Sequence, residues 1–110
     1  MKHIPIVTTE TLPGKTITET CGLVRGNTIR ARHIGRDFLA GLRNIIGGEI
    51  NDYTKLMAES REQVLDRMVD EARALGADAI VATRFSTSML AQGAAELLVY
   101  GTAVKVADDG

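Results

Sequence analysis

The side chains able to do chemistry are few and scattered. Cys21, His3 and His33 are the only soft or borderline metal ligands, and no two of them stand at a chelating spacing. A structural zinc site takes four Cys or His ligands, usually in closely spaced pairs, so a single chain falls short. Only repetition of Cys21 or His33 around a symmetry axis would gather enough soft donors. Otherwise Cys21 reads as a small β-strand residue and the two histidines as strand-end residues. Glu49 and Asp52 are a candidate pair for a hard cation, although Asp52 near a helix start is more simply a cap. Cys21 has no histidine near it in sequence to act as a base. Ser86, Thr87 and Ser88 read as the polar start of a loop.

Arg84 is the side chain with the sharpest question attached. It stands between Ala82 and Phe85 in an apolar strand, where an isolated buried charge is costly. Pairing with Asp78, Glu96 or a neighbouring subunit is the structural answer. An anion contact in an intersubunit cleft, with Tyr100 beside it, is the functional one. The acids Glu59, Glu62, Asp66, Asp70 and Glu71 interleave with Arg61, Arg67 and Arg73. They read as a solvated helix face with local ion pairs of about 0.3–0.5 kcal/mol each. Gly47-Gly48 precedes a helix start where backbone amides would suit an anion, but no phosphate-loop or dinucleotide pattern accompanies it.

The elements that position these residues follow from periodicity. His3 to Thr9 is a short β-prone stretch closed by the Leu12-Pro13-Gly14 turn. From Lys15 to about Arg32 a longer β-prone segment follows, which Gly22 and Gly26-Asn27 are expected to split by a bulge or turn. Arg36 to Ile46 carries one apolar stripe and is predicted helical, stopped by Gly47-Gly48. Asn51 or Asp52 caps a second helix that Gly76 ends. Its apolar positions, Tyr53, Leu56, Met57, Val64, Leu65, Met68, Val69, Ala72 and Leu75, step by three and four. That helix would run for about 36 Å. Ser60-Arg61-Glu62-Gln63 has the form of a capping box, yet the stripe runs through it, so it reads as helix interior.

Gly76 to Val106 then reads as a helix stop, a strand, a loop and a second strand, with both strands apolar on both faces. Ala79, Val81 and Phe85 alternate with Ile80 and Ala82; Leu97, Val99 and Ala103 alternate with Leu98, Tyr100, Val104 and Val106. Antiparallel sheets with one solvated face show polar alternation instead, so this pattern calls for cover on both sides and points to self-assembly. Strands flanking a helical pair indicate one α+β domain, residues 1–110, with both helices on one face of an antiparallel sheet.

Bulk properties narrow the class. The chain has 110 residues, a formal charge of −1, two Tyr, two Phe, no Trp and one Cys. A neutral surface disfavours nucleic acid. A lone cysteine fits a reducing compartment, and no long apolar stretch reads as a leader or membrane span, so the expectation is a cytoplasmic protein.

The order Thr8-Thr9, Pro13-Gly14, Gly22-Leu23-Val24-Arg25-Gly26, Arg36-Asp37, Gly47-Gly48-Glu49-Ile50 with Tyr53, Arg61, Leu75 to Val81, Arg84-Phe85 and Tyr100 to Val104 resembles the YbjQ-like family of small proteins. The resemblance covers nearly the whole chain. It implies a dodecin-like subunit in a homopentameric ring, with short extra strands joining neighbours, and it carries a heavy-metal-binding description. One departure is Ser86, where the family pattern implies an acidic residue after Arg84-Phe85. The expectation is therefore a non-enzymatic, ring-forming homo-oligomer without a cofactor or a metal site of its own. Arg84, Tyr100, Glu49 and Tyr53 are its ligand or interface candidates. The alternative is a metal- or small-molecule-binding module built from residues repeated around the ring.

Overall fold

The computed structural model describes residues 2–31, 50–91 and 94–109. Among them lie strand β1 (Lys15–Ala31), helix α1 (Ile50–Ala74), strand β2 (Ala79–Ala91) and strand β3 (Ala94–Asp108). The strands form one antiparallel sheet in the order β1-β3-β2. The architecture is α+β, a three-stranded sheet with one described helix. The helix expected over Arg36 to Ile46 lies outside the described residues, as do His33 and Glu49.

Helix α1 forms because its apolar residues recur on one line. Val64, Met68 and Ala72 are fully buried, and Ser60 is buried one turn earlier on the same line. Ser60 is thus helix interior, as the apolar stripe requires. The helix includes Asn51 and Asp52 rather than starting after them. It ends in a Schellman turn: Ala77 N–H donates to Ala72 O and Gly76 N–H to Arg73 O, each at 3.0 Å, with Gly76 at φ +72°.

The helix lies on β1 and β3. Val24, Ile80, Val99 and Ala103 meet Val64, Met68 and Ala72 in the main core, with Ile4 and Ala77 closing its end. Contact is closest at Gly26, where an added Cβ would overlap the Val64 carbonyl oxygen and come within 2.9 Å of Met68 N. Two helix side chains also cover the outer edge of β1. The Arg67 guanidinium donates to Asn27 O, and Glu71 accepts from Arg25 N–H at 3.1 Å. An uncovered edge would be a template for further strand pairing.

The second face of the sheet is covered over only part of its length. Ala79, Val81 and Val104 are buried there beneath Val7 and Leu12, with Ile17 and Val106 beside them. The N-terminal segment reaches this position along the free edge of β2. Ile80 N–H donates to Pro5 O, Val7 N–H to Ile80 O, Ala82 N–H to Thr9 O and Thr83 N–H to Val7 O. A parallel bridge joins Ile6 to Ile80. The Lys2 ammonium pairs with Asp78, whose other oxygen accepts from Val106 N–H at 3.0 Å.

Three sequence expectations are corrected. β1 is one strand running through Gly26-Asn27; the bulge expected at Gly22 is present, with Cys21 as the extra residue, and a second irregularity falls at Thr18. Gly26 serves close helix packing, and no turn forms there. Ser86, Thr87 and Ser88 lie within β2, which continues to Ala91, so the turn comes later than a polar cluster suggested. Phe85 pairs with Val99 and faces the helix side, out of phase with Val81, because β2 carries a bulge between them.

Two outcomes follow from this packing. Gly26→Ala should destabilise the fold by about 3 kcal/mol, since the obstacle is helix backbone that cannot rotate away. Urea unfolding should show a lower midpoint with unchanged slope. Asp78 is held below its ordinary value of 3.8, first by the Lys2 hydrogen bond and then by Val106 N–H. Its contribution is therefore complete above about pH 3.8 and is lost as pH falls through the lower folded value. Asp78→Asn should flatten the dependence of Tm on pH in that acid window, read by thermal melts across it.

Candidate functional site

Beyond the part sealed by Val7 and Leu12, the second sheet face carries exposed large side chains among the described residues. Alternation and register place Leu23, Arg25, Asn27 and Ile29 of β1 on it. They stand across from Thr102, Tyr100, Leu98 and Glu96 of β3, with Arg84 and Ser86 of β2 completing the rows. Leu23 is 65% exposed, Ile29 50% and Tyr100 38%, high values for large apolar side chains on a sheet face. Arg25, Tyr100 and Arg84 form one row across all three strands, in direct register. Two strand spacings separate the arginine backbones by about 10 Å.

A one-residue bulge in β2 makes that row. Val81 pairs with Thr102 and Arg84 with Tyr100, so three steps on β2 match two on β3. The extra residue inverts the alternation and puts Arg84 on the face of Tyr100 instead of on the helix side. Ala82 takes φ +54°, a left-handed conformation unusual for a residue with a Cβ. Its N–H and that of Thr83 are held by Thr9 O at 2.8 Å and Val7 O at 3.1 Å. On β3 the bulge rests over Gly101, where a Cβ would come 2.6 Å from Ile80 Cγ2 and 3.0 Å from Thr83 Oγ1.

Arg84 itself is exposed, and Asp78 and Glu96 do not pair with it. Asp78 is engaged by Lys2 and Val106, while Glu96 accepts from Asn27 Nδ2 at 3.1 Å. Arg84 Nη1 instead donates to Thr8 O at 2.9 Å and Thr83 O at 2.8 Å. It clasps the N-terminal segment to the bulge through neutral carbonyls, which leave its charge uncompensated. The expectation of a carboxylate partner within the hairpin is thereby corrected. Tyr53 lies in the first turn of α1. Arg25 went unnoticed in the sequence, although its place between Leu23 and Asn27 marks it as sharing their face.

The metal candidates do not converge. Cys21 is half-buried at a β1 bulge, its Sγ 3.8 Å from Glu19 Oε2. His3 borders two clefts of about 530 and 460 Å³. One is rimmed by the Lys2–Asp78 and Lys15–Asp108 pairs, the other by Asp66, Asp70 and Arg73. Among the described residues no three His, Cys, Asp or Glu side chains gather in a metal-holding arrangement. No described helix is long and apolar enough to cross a membrane.

Relief of backbone strain and loss of the clasp should be separable. Ala82→Gly should be neutral or stabilising by up to about 1 kcal/mol. Arg84→Met should cost about 1–2 kcal/mol through the two lost hydrogen bonds. Thermal melts of both variants test this; an unchanged Tm for Arg84→Met would show that the clasp contributes nothing.

Comparison with known proteins places these observations in a family. The family model described as "Putative heavy-metal-binding" matches residues 4–107. A UPF0145 protein of Archaeoglobus fulgidus is 55% identical over 105 residues, spanning 96% of this chain and 97% of its own. One from Methanosarcina acetivorans is 54% identical over 101 residues, spanning 92% and 95%. These names assign no activity. A crystal structure of a Pediococcus pentosaceus protein of unknown function from the DUF74 family aligns with a TM-score of 0.53 at 18% identity. That alignment covers 96% of this chain and 98% of the other, a likeness of fold alone. Among the described residues, the donors do not gather into a heavy-metal site. On the match across nearly its full length, the chain belongs to the YbjQ family.

Proposed function

We propose that this protein is a non-enzymatic assembly subunit: a dodecin-like, cytoplasmic ring former, pentameric by resemblance, whose ligands bind between subunits. The observation that carries the reading is the divided sheet face. Where Val7 and Leu12 lie, Ala79, Val81 and Val104 are buried; beyond them Leu23, Ile29 and Tyr100 stand in solvent. An apolar face left open beside a sealed one marks an interaction site. Helix α1, about 37 Å long, is shorter than the roughly 50 Å reach of β1, and it lies on the other face.

Arg84, Tyr100, Glu49 and Tyr53 are interface or ligand residues in this reading, with Arg25 added to them. Binding, rather than bond-making, suits an open row of two guanidiniums and a phenol that lacks a neighbouring nucleophile–base pair. The family's heavy-metal description supports a second reading, in which copies of Cys21 or His33 around the ring hold a soft metal.

Light scattering at micromolar concentration should give a mass several times that of the 11.8 kDa chain. Leu23→Asp should give a folded species of lower mass, because Leu23 lies outside the chain's own core and a charge there would be buried only by a neighbour. A monomeric wild type would overturn the reading. Elemental analysis of the untreated protein addresses the second: a stoichiometric soft metal lost in a Cys21→Ser variant would support it.

A further inference from the structure

We infer that the open sheet face around Arg25, Tyr100 and Arg84 receives the acidic outer ridge of helix α1 from a second copy of this chain. The inference rests on the self-assembly reading above and names the surfaces that meet. On α1, Ser60, Val64, Met68 and Ala72 face the core. Away from the core-facing line, Glu59, Glu62, Asp66 and Asp70 are all exposed and spaced by three or four residues, so they form one ridge, whose Asp66 and Asp70 also border the cleft beside His3 and Arg73. Folding removes part of the interleaving of acids and bases. Arg67 and Glu71 are drawn to the β1 edge, and Arg73 is the one base seen pairing with the ridge, 3.7 Å from Asp70. Glu59, Glu62 and Asp66 have no ion-pair partner among the described residues. Like charges at this spacing repel along a helix, so the ridge carries a cost that a basic partner surface would remove.

The sheet face is the complementary surface. Arg25 and Arg84 have no carboxylate partner among the described residues, and the one acid on that face, Glu96, is bonded to Asn27. Two such faces apposed to each other would bring four guanidiniums together, which disfavours a two-fold contact. Helix rise puts Glu59 and Asp66 about 10 Å apart, the same as the separation of the Arg25 and Arg84 backbones. Leu23, Ile29 and Tyr100 would supply apolar contact around the charges. Because the two surfaces differ, each copy offers one and receives the other. That is a heterologous contact, the kind that closes into rings.

The test is charge exchange, read by native mass spectrometry and light scattering over a dilution series, with circular dichroism confirming the fold. Arg25→Glu and Glu59→Arg should each raise the concentration needed for assembly by about tenfold or more. The double variant Arg25→Glu/Glu59→Arg should recover much of the loss. Arg25→Gln, which removes the charge without reversing it, should give a smaller shift and serves if Glu at position 25 unfolds the strand. Added salt should weaken wild-type assembly. If the wild type assembles and neither single variant shifts it, the helix-to-sheet contact is wrong while self-assembly stands. Two weakened single variants without recovery in the double would refute the pairing of these surfaces. A wild type that is monomeric throughout would overturn the reading on which the inference rests.

Discussion

The bulge at Ala82 is where the N-terminal segment, the sheet and the candidate site become one problem. A β-strand fixes the facing of every side chain by alternation, so a single extra residue inverts all that follow it. Before the bulge, Ala79 and Val81 face the N-terminal segment and Ile80 faces the helix. After it, Arg84 shares a face with Tyr100, and Phe85 shares one with Val99. The left-handed Ala82 is tolerated because Thr9 O and Val7 O take the amides of the bulge and Arg84 ties Thr8 O back to Thr83 O. The same few hydrogen bonds that hold the segment thus hold the bulge, and the bulge decides which residues the open face presents.

Cover is distributed unevenly as a consequence. The helix covers the β1 and β3 part of one face, leaving Phe85 of β2 48% exposed on that side, and its flank guards the β1 edge through Arg67 and Glu71. The N-terminal segment guards the β2 edge only as far as Thr83 and seals only the near part of the second face. Among the described residues no bulky side chain of the N-terminal segment is packed over the remainder. What is left exposed is apolar in Leu23, Ile29 and Tyr100 and basic in Arg25 and Arg84.

Much of this was legible from residue order. The stripe from Val64 to Ala72 predicted α1, and Gly76 its end, because 3.6-residue periodicity and a left-handed glycine are local signals. The two-faced apolar pattern of β2 and β3 called for cover on both sides, and among the described residues the second face is covered only around Ala79, Val81 and Val104. It did not reveal that part of that cover comes from Val7 and Leu12 of the same chain, since they lie more than 60 residues from Ala79, Val81 and Val104. Parity past Val81 was also unreadable: Ala82 looks like any strand alanine, and only the pairing register exposes the extra residue. Arg84 was recognised as an uneasy charge, but its partners are backbone carbonyls, which carry no sequence signature. Arg25 was hidden because its importance comes from lying in register with Tyr100 of a strand 75 residues away.

The chain itself seals the second sheet face near Val104, and the proposed assembly would seal it near Tyr100 with another subunit. Hydroxyl-radical footprinting read residue by residue, at assembling and at dilute concentrations, tests it directly. The account predicts that Val7, Ile17 and Val106 are protected at both concentrations, whereas Leu23, Ile29 and Tyr100 are protected only when assembled. Equal, high reactivity of Leu23, Ile29 and Tyr100 at every concentration would contradict it.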